Sequence, residues 1–225
     1  VSRPAVQILL ASGRQVDLVI PTVAELLMAY QAGAGKQGRR EAMAAMQAAV
    51  KAAVRAVDGT ATGVHQLAAW PFSSAETLAM ISALTDLVSP GPAVAKGVCS
   101  AAVVAVDGKA TTWTVTLPGP AVADGEASAP GAVVVLRELG WGATDAVLGT
   151  ADQDVGANLA GEYRVSLEGL KQSLVTVDGN PVAFGPRWLD EWPFTASDTA
   201  ILAHVWRTMQ GITGDAPGFT MVPAG

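Results

Sequence analysis

One motif is written twice in this chain. Val57-Asp58-Gly59 is followed by Trp70-Pro71-Phe72-Ser73-Ser74-Ala75-Glu76-Thr77, and Val177-Asp178-Gly179 by Trp192-Pro193-Phe194-Thr195-Ala196-Ser197-Asp198-Thr199. The Asp-Gly pairs lie 120 positions apart and the Trp-Pro-Phe triplets 122, so the second copy carries two extra residues between them. A period this long means that each copy is a supersecondary unit that must fold the same way twice. The 225 residues then divide into a first repeat, 1–95, and a second, 96–225, with Ser89-Pro90-Gly91-Pro92 near the border. Repeats of this size suit the usual domain prior.

The correspondence extends upstream. Met43, Val50, Val54 and Val57 have the spacing of one helical stripe, and Tyr163, Leu170, Leu174 and Val177 repeat it. Each stripe runs into Asp-Gly, where glycine can adopt the left-handed conformation that ends a helix. Downstream, Ser73 with Glu76 and Thr195 with Asp198 have capping-box spacing, so a helix is expected to begin after each hydroxyl. Ahead of the helices, Val6–Leu10 and Gln15–Ile20 flank Ser12-Gly13 as a hairpin. In the second copy Thr111–Leu117 and Ala132–Arg137 read as strands around a Gly/Pro/Ala-rich loop, Pro118–Gly131. An extra strand, Ser100–Val106, precedes them, and Asp107-Gly108 signals a turn. The expected class is α+β, an internally duplicated unit of a small antiparallel hairpin or sheet followed by helices. Its repeat-defining residues are Asp58, Gly59, Trp70, Phe72 and Ser73, then Asp178, Gly179, Trp192, Phe194 and Thr195.

Composition excludes several functions. A net charge of −6 opposes nucleic-acid binding, and the densest basic cluster, Lys36, Arg39 and Arg40, is small. The single cysteine, Cys99, cannot form an internal disulfide, which suits a reducing compartment. No run of about 18 apolar residues is present, and no signal-peptide order opens the chain. The expectation is a soluble intracellular protein without membrane contact.

Chemical motifs fail on inspection. Gly33-Ala34-Gly35-Lys36-Gln37-Gly38 resembles a phosphate loop, but position 30 is Tyr30 and Gln37 replaces the hydroxyl residue. His65, His204 and Cys99 are isolated, without metal-ligand spacing. Asp152, Asp154 and Gly156 lack the ligand order of a calcium loop. No Gly-x-Ser-x-Gly occurs, and neither histidine sits in the context of a hydrolytic triad. No catalytic, cofactor-binding or metal-binding residue is therefore expected, nor a small-molecule substrate.

The Trp-Pro-Phe triplets have two readings. They could be exposed anchors for a partner, since Trp is enriched at hot spots. They could instead be plugs that pack each loop against its own helix. Their recurrence in both copies favours the plug, because large aromatics are usually buried. Trp113, Trp141 and Trp188 have no partner in the first copy, and with Phe219 they are the candidates for contacts peculiar to the second half. The loop Pro118–Gly131 and the tail Gly218–Gly225 join them as contact segments.

The second copy contains Val133-Val134-Val135-Leu136-Arg137-Glu138-Leu139-Gly140, then Thr144-Asp145, Ser173–Gly179 and Asp198 in that order. Over residues 132–210 this resembles the small tail-assembly and baseplate proteins of contractile-tailed bacteriophages. In that family a Leu-Arg-Glu-Leu-like strand feeds a helix, then a helix ending near Asp-Gly, then a helix opened by an acid. The first half departs from it, with Ile20-Pro21-Thr22-Val23-Ala24-Glu25-Leu26 in place of the Arg-Glu-Leu strand. The resemblance implies a non-enzymatic virion component of the tail tip, assembled in the host cytoplasm. Its implied partners are other tail or baseplate proteins, and possibly itself. Two alternatives stay open: a tail-assembly chaperone absent from the mature particle, and a cytosolic enzyme or ligand-binding protein with a site between the repeats.

Overall fold

The computed structural model describes residues 5–33, 39–61, 70–88, 102–106, 110–117, 131–152, 159–210, 212–213 and 220–221. Lys36, His65, Cys99, Asp107, Gly108, Asp154, Gly156, Phe219 and the loop residues 118–130 lie outside them. Contacts divide the chain into two compact units. One is Val1–Ser89 with Asn158–Ala160 and Trp192–Ser197; the other is the remainder.

In the first repeat, β1 (Ala5–Leu9) and β2 (Gln15–Val19) form an antiparallel hairpin. The chain then leaves the sheet through two helices, α1 (Val23–Gln31) and α2 (Arg39–Ala53). It returns as β3 (Val54–Val57), turns into β4 (Thr60–Ala61), and ends in α3 (Ser74–Val88). The sheet order is β1-β2-β3-β4, all antiparallel, so β3 pairs with β2 across the two-helix insertion.

The second repeat follows the same plan with a strand added. β5 (Ala102–Val106), β6 (Ala110–Thr116) and β7 (Val133–Arg137) precede α4 (Trp141–Asp152) and α5 (Leu159–Ser173). Then come β8 (Leu174–Val177), β9 (Asn180–Pro181) and α6 (Ala196–Met209), with sheet order β5-β6-β7-β8-β9. A short pair, β10 (Ile212–Thr213) and β11 (Thr220–Met221), follows. The duplicated α+β class expected from the sequence is what the fold shows. The repeat reaches the register: Val16 faces Val57 as Val134 faces Val177, and a bulge falls between Asp17 and Leu18 as between Val135 and Leu136.

One local reading is corrected. The stripes through Val54 and Val57, and through Leu174 and Val177, are not continuous helix: α2 stops at Ala53 and α5 at Ser173. The four residues that follow are strand in both copies. β-Branched residues just ahead of Asp-Gly favour a pleated strand entering a two-residue hairpin. Asp58 and Gly59 have φ of 51° and 74°, Asp178 and Gly179 of 50° and 77°, the positive values that a type I′ turn demands at both positions. Asp-Gly is thus a hairpin turn between β3 and β4, and between β8 and β9, and not a helix stop.

The aspartate does more than turn the chain. Asp58 accepts from the Gln15 amide through Oδ1 at 2.8 Å, while its own amide donates to the Gln15 carbonyl at 2.7 Å. Asp178 does the same with Val133, at 2.8 Å in both directions. Each aspartate therefore clips the hairpin tip to the start of the neighbouring strand.

The cores correspond. Val16, Leu18 and Val54 are fully buried in one copy, and Val134 and Leu136 in the other. Where α5 meets α6, the Trp206 indole lies over Gly169, so close that a Cβ at Gly169 would overlap the ring. The first repeat has Ala49 and Leu84 at these positions, both buried. A smaller side chain on one helix offsets a larger one on the other. α5 and α6 are also tied by Arg207, which donates to Ser166 Oγ at 2.7 Å. Burial lowers the Arg207 guanidinium pKa against the opposing pull of Glu162.

Two predictions follow from this architecture. Asp178→Ala should destabilise the chain by about 2 kcal/mol, since alanine resists positive φ and loses a charged acceptor; Asp178→Asn, which tolerates the turn, should cost less. Urea denaturation of the three proteins measures the order. Gly169→Ala should cost about 3 kcal/mol by overpacking against Trp206. Adding Trp206→Leu, which recreates the first repeat's pair, should recover part of that loss rather than add to it, and a double-mutant cycle reads the sign.

Candidate functional site

The sharpest surface feature lies in the first repeat, where α2 and α3 diverge around the Trp-Pro-Phe loop. Ser73 Oγ accepts from the Glu76 amide at 3.2 Å, and Glu76 Oε2 accepts from the Ser73 amide at 2.9 Å, the reciprocal capping box that the spacing predicts. Glu76 Oε1 also accepts from Ser12 in the β1–β2 turn, so the start of α3 is fastened to the hairpin. Thr195 directly precedes α6, as Ser73 does α3.

With α3 anchored, the loop packs onto it. Phe72 is buried, and Trp70 stands edge-on to it at 5.0 Å between ring centroids. Trp70 Nε1 donates to the buried Thr77 hydroxyl at 2.8 Å, which donates in turn to the Ser73 carbonyl at 2.8 Å. The second copy repeats the aromatic pair, Trp192 on Phe194 at 5.6 Å, with Phe194 buried. Both phenylalanines are core plugs, and both tryptophans are half-buried beside them.

One side of Trp70 and Phe72 borders an open groove of about 500 Å³ between α2 and α3. Met43 and Leu78, exposed by 46% and 52%, supply its apolar walls, and Arg40, Gln47 and Ser74 its polar rim. Cations gather around the aromatics: Lys51 lies 5.4 Å from the Trp70 ring and Arg14 5.4 Å from Phe72. Arg14 also approaches Asp58 at 3.8 Å, so Arg40 and Lys51 are the cations left to this face. The second repeat carries Ala160, Leu167 and Ala196 where the first has Arg40, Gln47 and Ser74, and all three are buried. Among the described residues, the groove rimmed by Arg40 lies on the first repeat.

The contact candidates of the second repeat are placed differently from one another. Trp113 is half-buried on β6, opposite Leu136 of β7. Trp188 is half-buried, edge-on to Phe184 of its own loop at 6.2 Å and beneath Lys171 of α5 at 4.8 Å. Trp141 is the first residue of α4 and 69% exposed, although its counterpart Val23 is 2% exposed. These three sit on different elements: β6, the start of α4 and the loop after β9. His204 is exposed on α6. Among the described residues, no three His, Cys, Asp or Glu side chains cluster as metal ligands would, and no helix is long and apolar enough to cross a membrane.

The groove residues went unread in the sequence, although a signal was there. Aligning the repeats shows polar residues at 40, 47 and 74 facing apolar ones at 160, 167 and 196. Set beside known proteins, the chain matches no family, no curated protein and no solved structure.

The cap of α3 carries a pH dependence. Its hydrogen bond from Ser12, then those from Ser73, hold the Glu76 carboxyl below its usual 4.5. A depressed folded pKa gives stability that is present above the unfolded value and lost as pH falls through the folded one. The stability difference between wild type and Glu76→Gln should therefore be constant near neutrality and shrink below the ordinary carboxylate range. Thermal melts of both proteins at stepped pH measure it, and Ser12→Ala should reduce the effect.

Proposed function

We propose that this chain is a non-catalytic structural protein working through protein–protein contacts, in the phage tail tip or baseplate that its second repeat resembles. The observation that carries the reading is the exposure of large apolar side chains at several places among the described residues. Leu9, Met28, Met43, Leu78 and Trp141 stand out to solvent, while the residues that define the repeat go into turns, caps and plugs. Exposed apolar groups gathered beside a charged rim are the ordinary makings of an interface.

The reading is tested on particles from the source. Mass spectrometry of purified tails should find the chain in a fixed ratio to the other tail proteins. Its absence from particles, together with its association with tail proteins during assembly, would reassign it as a chaperone; absence from both would remove the tail role. Trp141→Ala should lower its yield in particles several-fold while leaving the melting temperature nearly unchanged, since truncating an exposed residue has little effect on the fold.

A further inference from the structure

We propose that the α2–α3 groove of the first repeat receives the Trp141 end of α4 from a second copy of this chain, so that copies join head to tail. This rests on the reading that the chain acts through protein contacts, and it names the partner.

The two surfaces complement each other in shape and in charge. Trp141 opens α4 and is 69% exposed at a position that the first repeat fills with the buried Val23. Leaving an indole in water forgoes roughly 2–3 kcal/mol that burial would return. The groove offers what an indole needs: Met43 and Leu78 as apolar walls, the Trp70 and Phe72 rings for edge-on contact, and about 500 Å³ of space. The charges are opposite. Asp145, one turn beyond Trp141, is exposed, Glu138 ahead of the helix is offset by the exposed Arg137, and α4 itself contains no Lys or Arg. The groove presents Arg40 at its rim, with Lys51 over Trp70. Opposite potentials of this kind fix orientation more than affinity.

The same charges argue against groove docking on groove, which would set Arg40 and Lys51 of one copy against those of another. Two different faces make a heterologous contact, and such contacts close into rings or extend as open arrays.

Sedimentation velocity over a concentration series tests this with purified full-length chain. Wild type should associate as concentration rises towards about 100 µM, where a contact of micromolar Kd is formed. Trp141→Ala and Leu78→Asp, each checked for native circular dichroism, should each be monomeric. Mixed, they should give a heterodimer and nothing larger, because the first keeps only its groove and the second only its tryptophan. Arg40→Glu should weaken association about tenfold, and Asp145→Lys in the partnering copy should restore it, the exchange expected of an oriented charge pair. A wild type that stays monomeric overturns the proposal. So do variants that still assemble, or a mixture that does not pair. A monomeric chain found in tail particles would sink the docking and leave the tail role standing; head-to-tail assembly of a chain absent from tails would do the reverse.

Discussion

Each sheet depends on a carboxylate at positive φ. Asp58 and Asp178 take a backbone conformation that few side chains tolerate, and each uses it to reach an amide at the start of the next strand. That bond matters because β3 and β8 are not ordinary hairpin partners: two helices separate them from β2 and β7 in sequence. Strands brought together from a distance owe their register to side-chain patterning and to fixed points. Here the fixed points are the aspartate clip at one end and the bulge at the other, and both recur in the two copies. With β3 held against β2, the end of α2 is placed, and with it one wall of the groove.

The strongest sequence signals came from residues whose chemistry is local. Ser73 with Glu76 forms its capping box, and Gly13 takes its turn at φ 84°. β6 and β7, read as strands around a long loop, pair with each other antiparallel. The failure at Val54 and Val57 has a physical reason. Spacings of three and four residues fit a helix, yet they also arise when a helix face and a strand face are buried side by side, and periodicity cannot find the junction. Arg55 marks it in the structure, donating to the Ala52 carbonyl at 2.6 Å to satisfy the end of α2, while approaching Glu25 of the α1 capping box at 3.5 Å. Val175 holds that place in the second repeat, so comparing the copies gave no cue. The groove was hidden for another reason. A surface residue such as Arg40 or Leu78 obeys no internal rule, and only the contrast between repeats distinguishes it.

Duplication has let the two copies differ where the fold permits. Turns, clips and aromatic plugs are shared. Ala49 with Leu84 became Gly169 with Trp206, an exchange of volume across one helix contact. Val23 became Trp141, turning a buried helix start into an exposed one. Core changes of this kind are tolerated when total volume is conserved, and surface changes are limited only by solubility.

The twin registers also set a problem during folding. A strand searching for its partner meets two docking sites with the same bulge and the same aspartate. The correct loop, from β2 to β3, is roughly half as long as the wrong one, from β3 to β7, and chain entropy rewards that difference by only about 0.7 kcal/mol. Discrimination must then come from side chains. A helix pair assembled from the wrong copies would press the Trp206 indole onto the Cβ of Ala49, where its own repeat provides a glycine. The mismatched volumes that look like harmless drift between repeats thus act as a key, admitting each last helix to its own copy and penalising an exchange.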